Sequence, residues 1–264
     1  MSDPFLRLLC FLVILGMMLA WEWLAPLRDA TLPRRVRWTA NFGLSAINSV
    51  LVQLVVRSAT PLAALGAEWY GIGLFNSINA PVWVAMIGSF VLLDLVIYFQ
   101  HRLFHYHPLL WRLHRMHHAD THLDTTSGLR FHPLEAVVSL LIKGVAVVAL
   151  GAPALAVLIF EIVLNGSSLF NHGNVQLPSK LDRILRWVVV TPDMHRVHHS
   201  LDGTEVNRNF GFNLPWWDRL FGTYKAQPDA GHMNMTIGLD RYRAENEQGL
   251  GPLLVQPFGR NGNS

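Results

Sequence analysis

The sequence predicts an all-α, polytopic integral membrane protein on three observations: an apolar composition, long uncharged stretches, and histidines repeated at helical spacing. The chain has 264 residues, 51% apolar and 15% charged, with one cysteine and a formal net charge of +3. Average soluble domains carry roughly 25% charged residues. A mean hydropathy of +0.28 therefore points to a protein with much of its surface in lipid. The composition excludes a disordered chain, and the single Cys10 excludes a disulfide framework or a thiolate metal cluster.

A helix rises about 1.5 Å per residue and the hydrocarbon core is about 30 Å thick, so about 20 apolar residues span it. Phe5 to Leu24 meets that length, with Trp21 and Trp23 where an interfacial aromatic belt lies. It is too long for a signal-peptide core and lacks a small-residue cleavage site, so it is expected to be retained. Further spans are expected from about Phe42 to Leu65 and from Pro81 to Gln100. Leu134 to Asn165 is too long for one span and is interrupted by Gly151-Ala152-Pro153, which predicts a hairpin of two shorter helices. Lys143 and Glu161 lie nine residues either side of Ala152 and are expected to pair, as a lock on the hairpin or as the polar lining of a substrate cavity. Arg57 has no partner that the sequence assigns.

Lys and Arg asymmetry orients the spans, because basic loops stay in the cytoplasm. The loop after the first span carries Arg28, Arg34, Arg35 and Arg37, whereas Gly66 to Ala80 carries no basic residue. The third span then delivers His101 to His118 to the cytoplasmic face, and the hairpin returns His172 and all that follows to the same side.

Thirteen histidines are present, six of them between His101 and His118. Residues three and four apart share a helix face. His101 and His105 are i and i+4; His114, His117 and His118, in HRMHH, are i, i+3 and i+4, and His195, His198 and His199, in HRVHH, repeat that pattern. Imidazole suits iron, copper, zinc or nickel, and eight are enough to give two metal ions about four ligands each. A histidine-rich di-metal site facing the cytoplasm follows. His132, in RFHPLE, and His172, in NHGN, stand where either could complete the coordination. His107, His122 and His232 read as ordinary interfacial polar residues.

Neither triplet has the carboxylate base of HExxH, which disfavours a zinc peptidase. Haem ligation wants histidines paired across the bilayer, and a cation transporter wants ligands near the midplane. A metal pair at the membrane surface suits dioxygen activation for attack on a lipid chain, and nitrogen-rich ligation suits redox iron. A non-enzymatic metal-binding or metal-transporting membrane protein is the alternative from another class. Asp94, Tyr98, His101 and His105 form one helix face, and Asp94 lies about 10 Å of helical rise from His101. It is expected to orient Tyr98, to line a substrate tunnel, or to be satisfied by a neighbouring helix, and is kept with His132 as a possible additional ligand or ligand support. The aromatic segment Asn209 to Tyr224 reads as a cap on the histidine helices. After Gln176 there are ten Lys plus Arg against nine Asp plus Glu, so no basic nucleic-acid tail exists. Dispersed positive charge suits membrane lipid headgroups and an acidic electron-transfer partner.

In combination, DLVIYFQHRLFH at Asp94 to His105, HRMHH, RFHPLE, NHGN, TPDMHRVHHS at Thr191 to Ser200 and NFGFNLPWWDRLFGTY at Asn209 to Tyr224 resemble the fatty acid hydroxylase superfamily, the sterol desaturase-like integral membrane di-iron oxygenases. The resemblance covers about Leu93 to Tyr224. It implies two iron ions held by His101, His105, His114, His117, His118, His195, His198 and His199, with His172 matching a further motif histidine. It also implies O2 as co-substrate and hydroxylation or desaturation of a sterol, fatty acyl or related lipid. Several members have a second histidine four residues before the one matched by His172, where this chain has Ser168. No cytochrome b5-like segment is seen, so the resemblance implies a separate electron-transfer protein, ferredoxin- or cytochrome b5-like. The expected organisation is N-terminal transmembrane helices in 1–80, a fatty acid hydroxylase-like catalytic domain in 81–225 including the membrane hairpin 134–165, and a C-terminal cytoplasmic tail in 226–264 with a loose end from Gly259 to Ser264. No organelle signal is recognised, so the expected location is the bacterial inner membrane.

Overall fold

The computed structural model describes residues 4–69 and 71–259, with side chains for 5–54 and 71–259. The described residues form helices and turns, with one isolated bridge between Ser200 and Ile237 and no strand. The first four helices are α1 (Pro4–Leu24), α2 (Arg34–Trp69), α3 (Leu74–Ser77) and α4 (Val82–Tyr106). A short α5 (Pro108–His118) leads through a 3-10 turn at Thr125–Leu129 to α6 (Pro133–Leu150) and α7 (Ala154–Asn171). Small helices complete the chain: α8 (Ser179–Leu185), α9 (Pro192–His198), α10 (Trp216–Leu220), α11 (Gly231–Asn234) and α12 (Leu250–Val255).

Among the described residues four helices, Phe5–Leu24, Val82–Tyr106, Pro133–Leu150 and Ala154–Asn171, are long and apolar enough to cross a membrane. The second expected span lies within α2, and its side chains from residue 55 onward, Arg57 included, lie outside the described residues. α4 runs past Gln100, so His101 and His105 ride on the last turns of an apolar helix. The predicted hairpin forms: His132 accepts the Leu134 N–H ahead of Pro133, and α6 ends on Gly151 at φ 63°, a left-handed conformation that glycine adopts without the Cβ penalty.

The hairpin does not close on itself. Leu93 and Ile97 of α4 pack with Phe160 of α7 and with Ala146, Val147 and Leu150 of α6, so α4 lies between the arms. Phe90 meets Phe160 edge-on at 5.6 Å. α1 packs along α7, and Arg7 takes Glu161 as its ion-pair partner. This corrects the expected Lys143–Glu161 pair: α4 lies between the two arms, and the α1 guanidinium reaches the carboxylate instead.

Residues 226–259 brace the fold. Leu253 of α12 packs against Ala40 and Leu44 of α2 and Met116 of α5. Arg112 and Arg115 of α5 donate to the carbonyls of Pro257 and Gln256, at 2.6 and 2.7 Å. Of the expected loose end, residues 260–264 lie outside the described residues.

Arg37 of α2 is fully buried and clamps the loop that follows HRMHH. It donates to both carboxylate oxygens of Asp120 at 2.7 and 2.8 Å, to Asp124 at 2.6 Å, and to the His122 carbonyl. Asp124 in turn caps the 3-10 turn through Thr126 N–H. The four arginines taken to mark a cytoplasmic loop therefore divide. Arg37 is interior, Arg28 donates to the carbonyls of His232 and Met235, and Arg34 and Arg35 are exposed.

Burial alone would raise the Asp120 carboxyl, but the Arg37 and Arg130 guanidiniums hold it well below the usual carboxylate range. A folded value below the unfolded one of about 3.9 means the stabilisation is fully present above about pH 5 and is lost as pH falls below that. Arg37→Met removes the guanidinium that bonds both Asp120 and Asp124 and is expected to destabilise the protein by about 3–5 kcal/mol at neutral pH. Thermal unfolding in detergent should show that gap narrowing as pH falls below about 4, where the stabilisation carried by Asp120 is progressively lost. A gap independent of pH would contradict the clamp.

Candidate metal centre

Three helices and one helix end deliver nine imidazoles to a single buried region. α4 carries His101 and His105, α5 carries His114, His117 and His118, α7 ends at His172, and α9 with its C-terminal residue carries His195, His198 and His199. The nine resolve into two groups. His101, His105, His114, His118 and His198 form one, and His117, His172, His195 and His199 form the other; in each, one nitrogen per ring lies within 4.8 Å of all the others. Each HxxHH triplet is therefore split. HRMHH sends its i and i+4 residues to the first group and its i+3 residue to the second, and HRVHH does the reverse. The helical period accounts for this, since i and i+4 lie 40° apart on a helix while i+3 falls 60° to the other side of i.

Five of the rings are aimed by hydrogen bonds at Nδ1. His101 donates to the Phe210 carbonyl at 2.9 Å, His198 to the Arg208 carbonyl at 2.8 Å, His117 to the Arg130 carbonyl at 3.2 Å and His172 to the Ser168 carbonyl at 2.7 Å. His114 Nδ1 meets the Glu135 carboxylate at 2.6 Å. A carbonyl has no proton to give, so Nδ1 must carry it and Nε2 is left as a bare lone pair. In the first group all five Nε2 atoms are buried and without a hydrogen-bond partner. In the second, the Nε2 atoms of His117 and His172 face each other at 3.0 Å, two lone pairs with no proton between them. His195 Nε2 lies 3.0 Å from that of His172 and 3.2 Å from that of His199.

Burial fixes the charge state. Loss of solvent, followed by the neighbouring imidazoles, holds His117, His118, His195 and His199 well below the ordinary histidine value. Burial takes His172 down to about 4 and His198 to about 3, against the carbonyl bonds that oppose it. These rings are neutral at pH 7, the form that ligates metal. A buried acceptor without a donor costs about 1–3 kcal/mol, so five in one group would cost about as much as the whole net stability of a typical domain. A cation at each centre removes that cost. Two soft-to-intermediate metal ions fit this all-imidazole donor set, whereas magnesium or calcium, which want oxygen, do not.

The surrounding residues complete the enclosure. Phe131 stacks on His117 at 4.7 Å, and Phe210 lies 5.6, 5.0 and 5.5 Å from His101, His105 and His198. Asp218 accepts from the Phe210 and Gly211 N–H groups, both at 2.8 Å, and from Thr223 Oγ1 at 2.7 Å, which fixes the carbonyl that orients His101. Ser168 donates to the Gly128 carbonyl at 2.8 Å and offers its own carbonyl to His172.

Two expected candidates are placed elsewhere. His132 uses both ring nitrogens: Nδ1 accepts the Leu134 N–H at 3.2 Å and Nε2 donates to the Leu254 carbonyl at 3.1 Å, so no lone pair is left for a metal. Asp94 accepts from Asn213 N–H, Leu214 N–H and Trp217 Nε1, at 3.2, 3.2 and 2.8 Å, and holds the aromatic segment against α4. Tyr98 bonds Thr223 at 2.9 Å rather than Asp94. His107, His122 and His232 stand outside both groups. Glu135 went unassigned in the sequence. Its signal was a carboxylate in the first turn of an apolar helix, within RFHPLE.

Glu135→Gln keeps an acceptor but removes the charge behind His114, and is expected to weaken metal binding about 10–100-fold. His132→Ala should leave metal per chain unchanged and cost about 1 kcal/mol through the lost cap. Elemental analysis after dialysis against graded chelators, with thermal unfolding alongside, separates the two; metal loss in His132→Ala would sink the placement.

A family model of fatty acid hydroxylase matches residues 86–223, just over half of the chain. The chain is 32% identical over 183 residues to the ornithine lipid hydroxylase OlsE of Rhizobium tropici, covering 69% of this chain and 53% of that protein. It is 23% identical over 229 residues to alkylglycerol monooxygenase of Xenopus tropicalis, covering 83% and 46%. A very-long-chain aldehyde decarbonylase, GL1-6 of Oryza sativa subsp. indica, is 23% identical over 198 residues, covering 72% and 29%. The chain thus spans about half or less of the length of these curated relatives, and no solved structure matches it. With a histidine-rich site on apolar helices and the family pattern running through that site, the chain belongs to the fatty acid hydroxylase family.

Proposed function

We propose that this protein is a membrane-bound di-iron oxidoreductase that uses dioxygen to hydroxylate a lipid. The observation that carries the reading is the pair of buried imidazole groups whose bare Nε2 atoms converge. His101, His105, His114, His118 and His198 would hold one iron, and His117, His172, His195 and His199 the other. When bound, the iron pair would supply dioxygen activation and oxidation of an unactivated C–H bond.

The chain's own residues prepare that chemistry. Four backbone carbonyls and Glu135 hold five of the rings in one tautomer and direction, so no proton need leave those Nε2 atoms before metal binds. The Phe210 and Phe131 rings exclude water from the imidazoles. Hydroxylation consumes one dioxygen, two electrons and two protons, leaving one oxygen in the lipid and one in water. A separate acidic one-electron carrier, ferredoxin- or cytochrome b5-like, would supply the electrons. The names of the hydroxylase and monooxygenase relatives favour hydroxylation over desaturation and a polar membrane lipid as substrate. The catalytic part would be 81–225, with the site on the cytoplasmic side of a bacterial inner membrane.

Protein reconstituted with ferrous iron without oxygen, placed in lipid bilayers and given reductant and isotope-labelled dioxygen, should place one labelled oxygen atom in a membrane lipid. The His117→Ala, His198→Ala double variant removes a ligand from each centre, and is expected to lower iron per chain and cut product on the order of 100-fold or more. Iron-free wild-type protein, or equal iron in the variant, would end the oxygenase reading.

A further inference from the structure

Ile184, Trp187 and Val188, on α8 and the turn after it, are 66%, 59% and 55% exposed, and Trp216, Leu220 and Phe221, on and after α10, are 43%, 69% and 40% exposed. The two groups form one surface. Trp216 Nε1 donates to the Trp187 carbonyl at 2.8 Å, and Arg219 lies over the Trp187 ring at 3.9 Å. That surface continues onto the outer face of α4, where Phe221 meets Tyr98 at 5.4 Å and Phe99 at 5.1 Å, and where Phe99 and Leu103 are themselves exposed.

Depth decides what covers it. α10 is anchored to α4 at Asp94 through Trp217, not at the histidine end of that helix. Asp94 lies six residues before Gln100, about 9 Å of helical rise back towards the bilayer centre. Irregular backbone at that depth is tolerated only when its polar groups are satisfied within the protein. Most of the N–H groups here have such partners: Asp218 takes those of Phe210 and Gly211, Asp94 takes those of Asn213 and Leu214, and Pro215 has none. The Phe212 carbonyl accepts from Asn171 and the Asn213 carbonyl from the Val190 N–H. The acidic side chains are used up inside, Asp182 by Arg186 and Asp218 by backbone, while Lys180 and Arg183 are exposed on α8 at the margin of the apolar surface. Cations at the rim of an apolar face match anionic lipid headgroups above acyl chains.

We infer that α8 and α10 form a wedge inserted into the cytoplasmic-side leaflet, its apolar face against acyl chains and Lys180 and Arg183 among the headgroups. The wedge is a membrane contact additional to the spanning helices and holds the Phe210 carbonyl behind His101 at a set height. It depends on α4 spanning the bilayer and not on the metal or the reaction.

Single cysteines at Ile184, Leu220 and Gly203 would be introduced into the full chain carrying Cys10→Ser; Gly203 has open space around it and sits in a polar loop. Each is labelled with an environment-sensitive fluorophore in bilayer discs of phosphatidylcholine and phosphatidylglycerol. Labels at Ile184 and Leu220 should lose most of their emission to nitroxides on the lipid acyl chains and little to aqueous iodide, with the opposite pattern at Gly203. Iodide quenching at either wedge position, or the same behaviour at all three, overturns the wedge. Shielding from both quenchers at Ile184 and Leu220 overturns it too, because the surface would then be covered by protein.

Discussion

Nine imidazoles gathered so that one nitrogen of each converges on one of two centres are the constraint on which the rest of the structure depends. Such an arrangement is unfavourable without cations, and five of the rings are held from behind. The holding groups come from across the fold: carbonyls of Arg130, Ser168, Arg208 and Phe210, and the Glu135 carboxylate. None of these five positions is itself a candidate ligand, yet each determines which nitrogen of its histidine carries the proton.

The supports are built in layers. Arg37 and Asp120 pin the loop behind α5, Arg130 ties that loop to Gln248 at 2.7 Å, and α12 closes over Met116. On the other side Asp94 and Asp218 hold the aromatic segment whose Phe210 carbonyl aims His101. Buried ion pairs and carboxylates of this kind cost desolvation and give little net stability, but they allow few alternative arrangements. That property suits a site whose ligand atoms must converge before any metal arrives.

Much of the site was legible because ligand spacing is local. The i, i+3, i+4 pattern of HRMHH and HRVHH follows from the helical period alone, and it is what brought His114, His117, His118, His195, His198 and His199 forward as candidates. The five-and-four division was not legible, since it depends on how α5 and α9 face each other. His132 and Asp94 shared the residue types and neighbourhood of ligands, but in the fold one became a helix cap and the other an anchor for Trp217. Arg37 looked like a loop charge, and only its partners at Asp120 and Asp124 reveal it as interior.

The sequence by itself determined the helices, the apolar lengths that suit a bilayer, the hairpin turn at Gly151 and the histidine faces, because each is a matter of composition or of spacing within a few residues. The tertiary structure alone decided that α4 lies between the hairpin arms, that Glu161 meets Arg7 and not Lys143, and which carbonyl stands behind which ring. Those are meetings of residues far apart in the chain, set by how helices pack and not by any local period.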